Sequence, residues 1–202
     1  MDSVTLYSSL YGSDQNYKMS KHRFARTVAF LKKCGIGELS KKDWRAKKSL
    51  DVSCGRAEIV DYFEFLGYDA EGTEIVPELF KEDDRVHFVP PFDKGSEVDL
   101  PSADVVTCFD VLEHLDIPSL ESALASLSKV KCKHLFLSIS TRESRANERH
   151  KELCGTPLHL TVESPVWWLF KLKEYWPRKA TPACVGAEPD LGMLFVYINE
   201  RR

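Results

Sequence analysis

Ser49-Leu50-Asp51-Val52-Ser53-Cys54-Gly55-Arg56-Ala57-Glu58 is the stretch that decides the fold. A short apolar run ends in an acid and is followed by a tight turn of small residues. Beyond it, Ile59, Tyr62, Phe63 and Leu66 fall on one face of a helix predicted over 58–66 and closed by Gly67. A second apolar run, 70–75, carries an acid at its end, Glu74. Strand, small-residue turn, helix, strand and acid together form a holder for a nucleoside-bearing group at the carboxyl edge of a parallel sheet.

Outward from this unit the alternation continues. Strands are predicted at 86–89, 104–109 and 134–139, and the continuous apolar run of 104–109 suits the centre of a parallel sheet. Pro118 opens a helix with Leu120, Leu124, Leu127 and Val130 in register, and Ser164-Pro165 caps another that runs to Tyr175. Pro77 starts a short helix. Two last strands, 181–185 and 193–198, flank the turn-rich Glu188-Pro189-Asp190-Leu191-Gly192 and read as an antiparallel hairpin. The pattern is that of an α/β, doubly wound, mostly parallel seven-stranded sheet with a C-terminal antiparallel hairpin. Upstream, Ser20 caps a helix in which Phe24, Val28 and Leu31 share a face, ending near Gly35 and Gly37. Residues 1–45 are expected to form a helical or lid segment packed on a core domain of 46–202.

Composition narrows the function. Of 202 residues, 43% are hydrophobic and 29% charged, as in ordinary globular chains, and the net charge of −3 gives no global pull toward nucleic acid or anionic membrane. Residues 18–48 are locally basic, with eleven Lys and Arg against Glu38 and Asp43, which reads first as solvated helix surface. No apolar run reaches the ~20 residues of a membrane span, and the start lacks a signal-peptide pattern. The six cysteines are scattered without a Cys-x-x-Cys pair, as reduced cytoplasmic cysteines packed as small hydrophobes would be. The turn lacks the Gly-x-Gly-x-x-Gly of a dinucleotide site, and no Walker Gly-Lys-Ser/Thr is present. Val89-Pro90-Pro91-Phe92 has no polar acceptor at its head and precedes the fourth strand, so it is not an amino-directed DNA methylation motif.

Three segments, Leu50 to Ala57, Gly72-Thr73-Glu74-Ile75, and Asp104 to Leu115 with its Asp-Val-Leu-Glu-His-Leu, follow one another at the spacing of the class I S-adenosylmethionine-dependent methyltransferases. The chain resembles that family over about residues 45–200. The resemblance implies a Rossmann-like methyltransferase fold, S-adenosyl-L-methionine as cofactor, and a cofactor site built from Asp51, Ser53, Cys54, Gly55, Glu74, Ile75 and Phe109. Gly55 would pass beneath the cofactor and Glu74 would accept from the ribose hydroxyls. Ile75 would pack on adenine, and the backbone at Phe109 would reach the amino-acid end. Ser53 and Ala57 stand where the family has glycines, a departure that costs about 1 kcal/mol or more if either needs positive φ.

His114, His159 and Glu113 are the candidate catalytic residues, since an oxygen or nitrogen acceptor needs a base near the fourth and fifth strands. No metal is assigned in this reading, and a small-molecule acceptor is favoured over nucleic acid. The expected reaction is methyl transfer to a small or terminal acceptor, oxygen-directed. One alternative rests on a further resemblance. Phe88-Val89-Pro90-Pro91, Asp110-x-x-Glu113-His114 and His159 are similar to the metal-binding set of the small-RNA 3′-terminal 2′-O-methyltransferases, with Asp110 shorter than the Glu those enzymes carry. Another alternative is a cofactor-binding scaffold with little catalysis. Residues 141–151 are expected to cover the acceptor; His150, Cys154 and His159 have a faintly metal-like spacing; and Trp167, Trp168 and Trp176 read as core or cleft wall.

Overall fold

The computed structural model describes residues 4–5, 7–8, 21–37, 47–76, 83–144, 148, 151–152, 155–176, 182–188 and 192–199, with the backbone alone for 182–188. Strands β1 (Lys48–Val52), β2 (Asp69–Glu74), β3 (Val86–Phe88), β4 (Val105–Phe109), β5 (His134–Ser140), β6 (Pro182–Glu188) and β7 (Met193–Asn199) form one sheet in the order β3-β2-β1-β4-β5-β7-β6. The first five are parallel. β7 enters antiparallel between β5 and β6, pairing Ser138 with Phe195, so the hairpin adds its second strand to the sheet before its first. The order reverses between β1 and β4, and there the carboxyl ends of neighbouring strands part to leave a crevice.

Helices cover both faces. On one, α3 (Ile117–Lys129) and α4 (Pro165–Tyr175) bury Leu120, Leu124, Leu127, Trp168 and Leu172 against Leu50, Val106, Leu135 and Val196. Their starts are fixed by side chains: Asp116 Oδ1 accepts the Ser119 N–H at 2.9 Å and Ser164 Oγ the Trp167 N–H at 3.2 Å. Trp168 and Trp176 are core residues, and Phe92 plugs the same cluster. On the other face, α1 (Lys21–Lys33) and α2 (Glu58–Phe65) pack Phe30, Leu31, Ile59 and Phe63 with Val105, Phe136 and Phe195.

Two details differ from the sequence reading. The buried face of α1 is Thr27, Phe30 and Leu31, with Phe24 and Val28 only half-buried. Phe30 wins that place because its ring meets those of Phe136 and Phe195, at centroid distances of 5.8 and 5.1 Å. Tyr62 and Leu66 lie at the margin of the α2 cluster, and α2 ends a residue earlier, at Phe65. The Ser20 cap, the helix at Pro77 and most of 145–154 lie outside the described residues. Among the described residues, Cys34, Cys54, Cys108 and Cys132 are not in disulfides, and no helix is long and apolar enough to cross a membrane.

The turn after β1 is seated directly on β2. A Cβ placed on Gly72 would lie 2.7 Å from Cys54 Sγ and 3.0 Å from both Cys54 Cβ and Val60 Cγ2. Gly72→Ala is therefore expected to lower unfolding stability by about 1–3 kcal/mol in denaturant titration. Adding Cys54→Ala should recover part of that loss, because the sulfur is the nearest obstacle; strictly additive losses would contradict this seating.

Candidate active site

The site forms where β1, β2 and β4 end. Ser53, Gly55 and Ala57 all take left-handed backbone, at φ 57, 56 and 62. Both positions where glycine was missed therefore do need positive φ. Their conformation is fixed by the strands: the Ser53 N–H points at Thr73 Oγ1, the Cys54 N–H donates to the Thr73 carbonyl, and the Ala57 N–H donates to the Cys54 carbonyl. Ala57 is the N-cap of α2 and offers no side-chain bond to it.

Glu74 closes the turn. Its Oε2 accepts the Gly55 N–H at 2.9 Å and its Oε1 the Ile75 N–H at 2.8 Å. The carboxyl is buried, and desolvation raises its pKa against the pull of those amides. Ile75 lies half-buried beside it, and Phe109 is buried at the end of β4. Asp51, in β1 just ahead of the turn, is buried, accepts a 2.6 Å hydrogen bond from Thr107 Oγ1, and has its pKa pushed up to about 7, chiefly by burial. Cys54 is also buried, with its thiol pKa raised by desolvation, which makes it packing for the turn and no nucleophile.

The other half of the crevice holds the three candidate catalytic residues together. One donor atom each from Glu113, His114 and His159 lies within 4.8 Å of the others, and the two imidazoles meet edge to face at 5.0 Å. Glu113 and His114 sit on a 3-10 turn, Leu112–His114, directly after β4. His159 comes from the chain leading to α4, which is tied back by the Leu160 and Thr161 N–H groups donating to the Glu113 carbonyl. Glu113 is fully buried, with Oε1 accepting the Ser140 N–H at 2.9 Å and Oε2 buried with no hydrogen-bond partner among the described residues. Burial first, then the charge of Asp110, raises its pKa. His159 Nδ1 lies 2.7 Å from the Arg142 carbonyl, which requires Nδ1 to carry the proton and leaves Nε2 a lone pair. Burial lowers its pKa.

Asp110 stands apart from this cluster. At φ 55 it turns the chain after β4; Ser138 Oγ donates to its Oδ1, and Arg23 of α1 pairs with its Oδ2 at 3.2 Å. His150 and Cys154 lie outside the described residues, so His159 is seen only with Glu113 and His114. Sequence reasoning had no route to Arg23, to Tyr7, whose ring is 6.3 Å from that of His114, or to the Arg142 carbonyl. These come from distant segments, and a backbone carbonyl leaves no trace in residue type.

Comparison with known proteins now decides the family. Residues 19–175 match the family model described as a methyltransferase domain. The chain belongs to that family. It is a methyltransferase, and its cofactor is S-adenosylmethionine. A search of curated proteins gives no match. Among solved structures, the fold is shared with the PH0226 protein of Pyrococcus horikoshii, at 12% identity and TM-score 0.61 over 95% of this chain and 98% of that one. It is shared with magnesium protoporphyrin IX methyltransferase of Synechocystis, bound to S-adenosylhomocysteine, at 14% identity and TM-score 0.57 over 98% and 94%. It is shared too with the methyltransferase domain of a bacterial Hen1, at 16% identity and TM-score 0.55 over 88% and 97%. The donors around the turn suit the cofactor: a buried carboxylate with lone pairs left after two amide bonds, and small residues that let the backbone approach.

Two measurements test this half of the methyltransferase. Glu74→Ala leaves the Gly55 and Ile75 amides without their acceptor, so calorimetric titration should show S-adenosylmethionine affinity reduced at least tenfold, with stability lowered by about 1–3 kcal/mol. The Asp51 pKa is higher folded than unfolded, so its contribution to stability is full below pH 3.8 and is lost as pH rises through about 7. Denaturant titrations of the cofactor-free enzyme should lose more than about 1 kcal/mol across that window. Asp51→Asn should flatten the decline; an unchanged slope would show that Asp51 is ionised throughout.

Proposed function

We propose that this methyltransferase is oxygen-directed and acts on a small-molecule or terminal hydroxyl that binds against Glu113, His114 and His159. The observation that carries the reading is the convergence of those three side chains, with donor atoms within 4.8 Å of one another, at the end of β4. Bound S-adenosylmethionine supplies an electrophilic methyl group on a sulfonium. The chain's own residues place the acceptor oxygen and take its proton. His159 is suited to the second task because its Nδ1–H is committed to the Arg142 carbonyl, which leaves Nε2 with a lone pair to accept a proton. Methyl transfer to the acceptor oxygen would break the methyl–sulfur bond, the sulfur leaving as a neutral thioether, and the hydroxyl proton would pass to His159 Nε2. Glu113, held at Oε1 by Ser140, offers Oε2 to orient the hydroxyl. The burial of Glu113 and His159 limits competing water at the acceptor oxygen.

A second reading has its own support. A buried carboxylate oxygen with no hydrogen-bond partner among the described residues, beside two imidazoles, is a donor set that suits a divalent cation. In this reading Glu113, His114 and His159 hold the ion, which would lower the acceptor hydroxyl's pKa, and the acceptor is a terminal ribose of RNA. Asp110 is not needed, since Arg23 and Ser138 hold its carboxylate.

Methyl transfer from tritiated S-adenosylmethionine into pools of hydroxylated metabolites and of short RNAs, with and without chelator and added manganese, tests both. His159→Ala should lower kcat roughly 10²- to 10⁴-fold while the cofactor Kd stays within a factor of two. Chelator-resistant turnover on a small hydroxylated acceptor supports the first reading. Chelator-sensitive, manganese-restored labelling of RNA supports the second. Full activity in the His159 variant would overturn both.

A further inference from the structure

Helix α1 carries Lys21, His22, Arg23, Arg26, Lys32 and Lys33 and no acid, in a chain whose net charge is −3. Its direction is fixed. Phe30 and Leu31 are buried toward its carboxyl end, and Arg23 near its amino end pairs with Asp110, so the helix runs up to the crevice beside the catalytic cluster. Lys21, His22, Lys32 and Lys33 are exposed, with Ala25 and Ala29 between them. Among the described residues none of the three lysines has a carboxylate partner. Several cations elsewhere are matched, Lys48 with Asp69 and Glu71, Arg85 with Asp61, Glu64 and Asp83, and Lys171 with Glu121 and Glu174, while exposed Lys94, Lys131 and Lys173 stand singly. A row of unmatched lysines about 20 Å long, ending at an acceptor site, is a track for an anion with several charges.

We propose that the outward face of α1 binds the phosphates of single-stranded RNA and leads its terminal ribose to Glu113, His114 and His159. The inference rests on the ribose reading of the acceptor. A single strand is required because Glu113 and His159 are buried, and a terminal nucleotide can enter a crevice that a duplex cannot. A membrane surface fits less well. The only apolar residues exposed between the lysines are Ala25 and Ala29, too small to insert; on the same face of the sheet Phe65 at the end of α2 is exposed but single, and the exposed Val166 and Phe170 belong to α4 on the opposite face.

The test is fluorescence anisotropy with a short 5′-labelled single-stranded RNA of mixed sequence, read across a salt series, on the full chain and on Lys21→Glu/Lys32→Glu/Lys33→Glu. Unchanged calorimetric binding of S-adenosylmethionine confirms that the variant folds. The wild type should bind with a steep salt dependence. Removing three contacts should flatten the log–log slope by about 2 and weaken binding at least tenfold. Equal affinity and slope in the variant would overturn the proposal, as would wild-type binding to phosphatidylserine vesicles but not to RNA. Methyl incorporation separates the two ideas. RNA held through these lysines but never methylated removes the ribose reading and leaves the contact. RNA methylated equally well by the variant removes the contact and leaves the reading.

Discussion

The turn after β1 depends on one carboxylate, Glu74, bridging the Gly55 and Ile75 amides. The two amides belong to different strand ends, so the bond fixes the β1 turn relative to β2. A neutral side chain of the same length would make weaker hydrogen bonds, because charge-assisted bonds to backbone amides are roughly twice as strong. Burial opposes this by raising the Glu74 pKa, and the amides offset it. The balance holds only while the turn stays close to β2. That closeness is why Gly72, under Cys54, has no room for a side chain.

At the Glu113, His114 and His159 cluster the corresponding organiser is the end of β5. The Ser140 N–H fixes Glu113, and its hydroxyl donates at 3.1 Å to the same Arg142 carbonyl that fixes the His159 tautomer. Ser138, two residues earlier and on the same side of the strand, holds Asp110 through both its hydroxyl and its carbonyl. Two serines with the period of a strand thus orient side chains from two other segments. The arrangement places rigid sheet behind groups that loops supply.

Legibility in the sequence follows the range of the interaction. Alternating apolar runs and turn residues made β1 to β5, α3 and the hairpin readable, because strand and helix periods are local. The acid at Glu74 and the run from Asp110 to Leu115 were readable for the same reason. The order in which β7 and β6 add to the sheet was not, since a hairpin looks the same in sequence whichever strand lies inside. Nor was the face of α1. Phe24, Val28 and Leu31 fit helical spacing as well as Thr27, Phe30 and Leu31, and only the rings of Phe136 and Phe195 decide between them. Asp110 looked like a partner of Glu113 by spacing, yet its backbone conformation turns it toward Ser138 and Arg23.

Among the described residues, the non-glycine residues with positive φ are Ser53, Ala57 and Asp110, and all three border the crevice. Left-handed backbone costs roughly 1–2 kcal/mol for an ordinary residue, less for Asp. Such strain persists only where surrounding bonds over-determine the conformation. Here those bonds are visible: Thr73 for Ser53 and Cys54, the Cys54 carbonyl for Ala57, and Ser138 for Asp110. Glycine at 53 or 57 would remove the strain and also the constraint, since glycine admits many more conformations in the unfolded chain. Ala57 is buried as well, so its methyl group returns some packing free energy that glycine would lose. The small residues at the family's glycine positions therefore make a stiffer turn, at a cost that neighbouring strands already meet.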